Sequence, residues 1–328
     1  MPTHTRTLLV FSSLGAAAVC VIALSLAIGS VPLGPQRVWA ALAGAGDPMA
    51  MALVNDLRLP RTTTAFAIGG ILGLAGALMQ VLLRNPLADP YVMGVSGGAA
   101  VGALGAILLG AASVLIDIAA TAGALAAMLV VFTLARGEGG WTTSRLLLTG
   151  VIVAAGCGAV ISLMLALGED SSLRGMLFWL MGDLAGSDRG PWLVLLLAAS
   201  VATGVPLARY LNVLARGELQ ARIVGLPVTA VRAGLFAASS LLTAAAVTTA
   251  GTIGFVGLVT PHLVRLLLGA DHRRVLPGTA LLGGIIVAAA DLVARTAFAP
   301  RQLPVGALTA LIGVPLFLVL MRRTRLST

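Results

Sequence analysis

The sequence predicts an all-α integral membrane protein of about ten transmembrane helices, and three observations carry that prediction. Of the 328 residues, 59% are hydrophobic and 10% charged, with a mean hydropathy of +1.03. Soluble domains carry about 25% charged and about 45–50% apolar residues, so a water-soluble globule of this length would lack the polar surface to cover itself. Apolar runs close to the ~20 residues that cross ~30 Å of hydrocarbon recur along the whole chain. The arginines between those runs divide unevenly between two sides, as loops on the two faces of a membrane do.

The runs cover residues 8–29, 62–83, 91–110, 112–135, 146–168, 192–210, 233–250, 254–269, 278–297 and 306–321. The first is longer than the roughly 7–15 apolar residues of a cleaved signal, so it is expected to be a membrane helix. Residues 91–135 are too long for one crossing, and Asp117 suggests where they surface. Residues 233–269 would make one helix roughly 55 Å long, so Gly251 and Gly254 are the expected break. Ten crossings leave both termini on one side. With the N-terminus in the cytoplasm that side gains 14 of the 21 arginines. The outer side keeps Arg37, Arg58, Arg61, Arg174, Arg189, Arg295 and Arg301, the bias of a protein with both ends inside.

Composition also removes several chemistries. The chain has no Lys, so it cannot build a P-loop nucleotide site or a Schiff base. Cys20 and Cys157 stand alone in apolar runs, and His4, His262 and His272 lack ligand spacing, so no metal site is expected. The net charge of +9 is scattered rather than striped, which points to membrane orientation and not to nucleic acid. An enzyme of the membrane would need a His/Asp/Glu cluster, which the sequence does not offer, so no catalytic residue is assigned. A stand-alone secondary transporter usually carries intramembrane acids. Asp291 is the clear mid-to-late-helix acid here, with Arg295 four residues on, where the two can pair on one helix face.

Local patterns are individually bland. Gly69-Gly70-Ile71-Leu72-Gly73 and Gly94-Val95-Ser96-Gly97-Gly98 suit tight helix packing, and equally helices that slide. Arg84-Asn85-Pro86-Leu87-Ala88-Asp89-Pro90 breaks the helix twice and reads as a tight turn. Thr143 is placed to cap a helix. Residues 216–227 form a polar segment with a short helical pattern closed by Gly225 and Pro227, either a solvated connector or a docking helix for a soluble partner. His262 is expected to make an interhelical hydrogen bond.

In order, however, a set of stretches resembles the permease family of type II ABC importers, the iron-chelate and cobalamin uptake group. They are Leu57-Arg58-Leu59-Pro60-Arg61, Gly76-Ala77-Leu78-Met79-Gln80, Asn85-Pro86-Leu87-Ala88-Asp89-Pro90 and Gly94-Val95-Ser96-Gly97-Gly98-Ala99. Thr143-Ser144-Arg145-Leu146, Phe178-Trp179-Leu180-Met181-Gly182 and the segment from Gly217-Glu218 to Gly225-Leu226-Pro227 follow. Ile253-Gly254-Phe255-Val256-Gly257 through Thr260-Pro261-His262, then Asp291-Leu292-Val293-Ala294-Arg295 and Leu303-Pro304-Val305-Gly306, complete the set.

The resemblance implies one permease domain over residues 1–328 with the type II importer fold, in a bacterial inner membrane, with a coupling segment at about 211–231. It implies a homodimer, two ATP-binding cassette subunits on the cytoplasmic side and a periplasmic substrate-binding protein outside. No cofactor is expected on this chain, ATP and Mg belonging to the partner subunits. The resemblance places ATPase coupling on Gly217, Glu218, Ala221, Arg222 and Gly225, and the cytoplasmic gate on Asn85, Leu87, Thr143 and Ser144. It places docking of the binding protein's carboxylates on Arg58, Arg61 and Arg295. The reading of Arg222 from the residues alone is a solvated charge. Asp183 departs from the group's pattern, in which a small neutral residue commonly follows the Phe-Trp-Leu-Met-Gly stretch. The implied cargo is an iron chelate, a ferric siderophore or haem, with cobalamin as the alternative. Arg174 and Arg189 suit an anionic cargo, but Glu169, Asp170, Asp183 and Asp188 offset them.

Overall fold

The computed structural model describes residues 4–137, 140–185 and 189–324; Asp188 and Arg325 lie outside them. Seven helices are long and apolar enough to cross a bilayer. They are α1 (His4–Ala27), α4 (Leu59–Leu83, continuous with the stem below), α6 (Ser113–Leu134), α7 (Thr143–Leu167), α9 (Gly190–Ala215), α11 (Val228–Ala250) and α13 (His272–Thr296). Three shorter apolar helices, α5 (Val95–Leu108), α12 (Val256–Leu268) and α14 (Val305–Thr324), complete ten among the described residues. Each corresponds to one of the ten apolar runs. The chain is a multi-pass membrane protein.

The other elements lie at the ends of the bundle. At one end α2 (Pro35–Leu42), α3 (Pro48–Met51) and α8 (Asp170–Met181) join the long helices, and α3 runs into a π-helical stem, Ala52–Arg58, that feeds α4. At the opposite end lie α10 (Glu218–Ile223) and a two-residue strand pair, Arg136–Gly137 with Gly140–Trp141. These elements mark the α8 end and the α10 end of the bundle.

Helix α4 is the axis of the packing. Its residues 67–77 are all buried, and α9, α11, α12 and α13 pack around it. A helix apolar on every side is stable only in such a position or in lipid. The glycine-rich stretch is what lets the neighbours come close. A Cβ on Gly69 would stand 2.1 Å from the Gly283 carbonyl oxygen of α13, and one on Gly76 would stand 1.9 Å from the Gly257 carbonyl of α12. Lipid supplies no hydrophobic drive for helix association, so close backbone packing supplies it instead. A Gly76→Val variant is therefore expected to lose about 1–3 kcal/mol or more through overpacking. A Gly15→Val control, where nothing lies within 4 Å, is expected to melt with the parent in detergent.

The breaks follow backbone conformation. The chain turns between α5 and α6 at Gly110, with φ +66°, and not at Asp117, which sits inside α6 and pairs with Arg189 at the start of α9. Residues 251–255 separate α11 from α12 as expected. Gly251 takes φ +66° and Phe255 φ +68°, and Tyr91 pins the segment, its hydroxyl lying 3.1 Å from both the N–H and the carbonyl of Ile253.

Candidate functional site

The sequence-predicted residues gather in two clusters, one at each end of the bundle. At the α8 end, Asp291 of α13 is fully buried between two arginines. Arg61 approaches through Nη2 at 2.8 Å and Nε at 2.9 Å, and Arg295 through Nε at 3.7 Å. Arg61 also donates to Gln302 Oε1 at 3.0 Å. Arg295 reaches α1, donating to the Ser25 carbonyl and, at 2.7 Å, to Ser25 Oγ. The pairing of Arg295 with Asp291 thus coexists with a stronger link from Arg61.

Arg58 reaches α1 as well. It is buried, and its guanidinium donates to the Leu26 carbonyl at 2.7 Å, the Ala27 carbonyl at 3.0 Å, and the Val31 carbonyl. These include the last carbonyls of α1, which a helix leaves without partners and where positive charge is favoured. A cavity of about 600 Å³ opens beside the three arginines, lined also by Asp56, Pro60 and Gln302. Nearby, Arg174 lies over the Phe178 ring at 5.8 Å. Asp183 is a turn residue, its Oδ1 accepting from the Ala185 N–H at 2.9 Å.

At the α10 end, Asn85 and Leu87 sit in the loop after α4. Asn85 Oδ1 accepts from the Leu87 N–H at 2.9 Å, an Asx turn that leaves Leu87 exposed. Gln80 holds this loop to α12, donating to the Ala88 carbonyl at 3.4 Å and the Leu258 carbonyl at 3.2 Å, while Arg265 donates to its Oε1. Burial raises the Asp89 carboxyl to about 6 even though the Tyr91 N–H donates to it. Thr143 and Ser144 open α7. The cap of that helix is Thr142 and not Thr143: Thr142 has extended backbone and its Oγ1 accepts from the Arg145 N–H at 3.3 Å. Thr143 is thereby free for another partner, and its hydroxyl accepts from Arg232 Nη2 at 3.3 Å.

Helix α10 is short and two-faced. Gly217 precedes it with φ +129° and Gly225 follows it with φ +81°, conformations that favour glycine. Ala221 is buried against the body, while Leu219, Ile223 and Val224 are 75%, 76% and 73% exposed. Glu218 turns inward, one oxygen 2.9 Å from Arg222 and the other 3.3 Å from Arg232. The Arg222 hydrogen bond first, and then the charges of Arg232, Arg222 and Arg84, hold its carboxyl below the ordinary glutamate range. Arg222 is thus paired, though its side chain stays 63% exposed. His262 makes no hydrogen bond within the described chain through Nε2. Its ring meets Phe317 of α14 edge-on at 6.1 Å.

The family model described as the FecCD transport family matches residues 17–323. The chain belongs to that family. It is 39% identical over 311 residues to the vitamin B12 import system permease protein BtuC of Shigella boydii serotype 18, covering 94% of this chain and 95% of that one. It is 46% identical over 277 residues to the cobalamin import system permease protein BtuC of Halobacterium salinarum, covering 83% and 74%. Among solved structures it resembles an inward-facing metal-chelate type ABC transporter with a TM-score of 0.84 and 30% identity, covering 96% of this chain and 99% of that one.

Two features of this FecCD chain escape the sequence. Arg232 reads there as one more positive charge at a helix start, yet it is buried and bridges two elements. An ionisable residue at the edge of an apolar run is the signal that marks it. The apolar face of α10 is likewise hidden in a segment whose composition looks polar.

Proposed function

We propose that the chain is the permease subunit of a binding-protein-dependent ABC importer, acting as one membrane domain over residues 1–328. Two copies line a path on their shared axis. Two ATP-binding subunits dock from the cytoplasm on the segment at about 211–231, and a periplasmic binding protein delivers cargo from outside. The inner membrane is its site, with both termini cytoplasmic, the orientation that the arginine distribution favours. The chain supplies no cofactor and no ATPase chemistry; ATP and Mg belong to the partner subunits.

The observation that carries this reading is α10. Two large apolar side chains, Leu219 and Ile223, stand exposed on a six-residue helix, with Val224 exposed at its C-terminal cap, in a segment too polar for the bilayer, which suits a soluble partner. Gly217, Glu218, Ala221, Arg222 and Gly225 shape and anchor that helix, and its exposed face makes the contact. Asn85, Leu87, Thr143 and Ser144 form the gate at the same end. At the other end, Arg61 and Arg295 offer charge to a carboxylate of the binding protein entering the cavity, where charge-assisted bonds orient docking. Arg58 supports that wall by holding α1.

Similarity to two cobalamin permeases favours cobalamin as cargo, and likeness to a metal-chelate type transporter keeps a ferric siderophore or haem as the second reading. Uptake of labelled cobalamin, ferric siderophores and haem by cells with and without the gene separates these. Loss of cobalamin uptake is expected, restored by the parent chain and not by a Glu218→Arg variant. Unchanged uptake of all three cargoes would overturn the assignment.

A further inference from the structure

We propose that Arg232 is a positioning residue that carries movement of α10 to the gate, through Glu218 on one side and Thr143 on the other. This rests on the permease reading above. One guanidinium serves two elements: Nη1 lies 3.3 Å from Glu218 Oε2 on α10, and Nη2 lies 3.3 Å from Thr143 Oγ1 at the start of α7. A guanidinium is planar and rigid, so its two partners cannot shift independently without breaking a contact. Arg232 itself is buried in the first turns of α11, and its anchor there is packed rather than mobile. Glu218 is held from the other side by Arg222, which aims the second oxygen at Arg232.

The receiving element suits the role. Among the described side chains of α7, only Leu146 and Gly150 are buried, the least of any long helix. The helix packs on α5 and α6 with most of its side chains exposed in the single subunit, and the bond from Arg232 ties its first residue to α11. Arg84, which closes α4 just before Asn85, also lies close enough to act on the charges of Glu218 and Arg232. Both halves of the gate therefore meet the same charged group. A tie that only stabilised α10 would need Glu218 and Arg222 alone; the bond to Thr143 is what the relay adds.

The test uses the complete transporter with its ATPase in nanodiscs, with Cys20→Ser and Cys157→Ser removing the native thiols. Ser144→Cys then reports the gate through its labelling rate with a maleimide, with and without vanadate-trapped nucleotide. The parent is expected to change rate on trapping. Thr143→Val, which leaves the Glu218–Arg232 pair intact, is expected to shrink that response by roughly fivefold or more, the range of ordinary coupling energies. Thr143→Ser keeps the hydroxyl and is expected to restore it, whereas Arg232→Gln is expected to lose it while the ATPase is still retained. A responding parent whose Thr143→Val and Arg232→Gln variants respond equally overturns the relay alone. A parent that neither retains an ATPase nor responds to nucleotide overturns the permease reading and the relay with it.

Discussion

Replacing Leu219 and Ile223 together by Asp is expected to strip the ATP-binding subunit from this chain in a pull-down. Both side chains are three-quarters exposed in the free subunit, so the substitutions should leave its fold within about 0.5 kcal/mol of the parent. In a complex the same side chains leave water, each contributing about 1.5–3 kcal/mol. A carboxylate in that place loses the gain and adds the cost of desolvating a charge without a partner. The sum of several kcal/mol corresponds to a weakening of roughly a thousandfold or more, since each 1.4 kcal/mol is tenfold. The measurement is the ratio of the two subunits after purification in detergent, with thermal melting of the permease alone as the control for folding. Equal retention of the ATPase by parent and variant would mean that the partner, if it docks, uses another surface. Glu218→Arg tests something else. It removes the inward anchor of α10 beside Arg84, Arg222 and Arg232 and misplaces the helix rather than its contact face.

The ten apolar runs were legible because the bilayer imposes a length and forbids unsatisfied backbone between its faces. Gly and Pro mark where that regularity stops, and residues 251–255 fall where Gly251 and Gly254 predict. The turn before α6 falls between the runs 91–110 and 112–135, where Gly110 takes positive φ, whereas Asp117, an acid that suggests a surface, sits inside α6. Side-chain direction at the helix ends was not legible. Thr142 and Thr143 are equivalent as letters, and only the extended backbone of Thr142 makes it the cap. Arg58 looks like a free charge in Leu57-Arg58-Leu59, yet the π-helical stem rotates it under the end of α1. Arg232 and Thr143 stand 89 residues apart, and no periodicity connects positions that distant. The site residues were therefore found by their motifs, while their partners came only with the tertiary structure.

Asp291→Asn is expected to destabilise the subunit by about 3–5 kcal/mol, the cost of breaking a buried ion pair and leaving charge uncompensated. Asn nearly preserves the shape of Asp, so the loss reports charge rather than packing. The carboxylate faces Arg61 from α4 and Arg295 from its own helix, and Arg295 continues to Ser25 of α1, whose hydroxyl lies 2.9 Å from that of Thr62. Three helices thus converge on one acid with no exposed surface. The contrast is Asp117→Asn, which breaks the pair with Arg189, where both side chains are about a third exposed. Water screens such a pair, and its loss is expected to cost no more than about 1 kcal/mol. Thermal unfolding in detergent should separate the two variants clearly, and an Asp291→Asn midpoint equal to that of Asp117→Asn would overturn the clamp. The same variant bears on docking. With Asp291 neutral, Arg61 and Arg295 lose their internal counter-ion beside the cavity, so a binding-protein carboxylate meets less competition for them. Capture of the binding protein at low temperature, where the weakened fold still holds, is then expected to tighten. Unchanged capture would assign these arginines to the clamp alone.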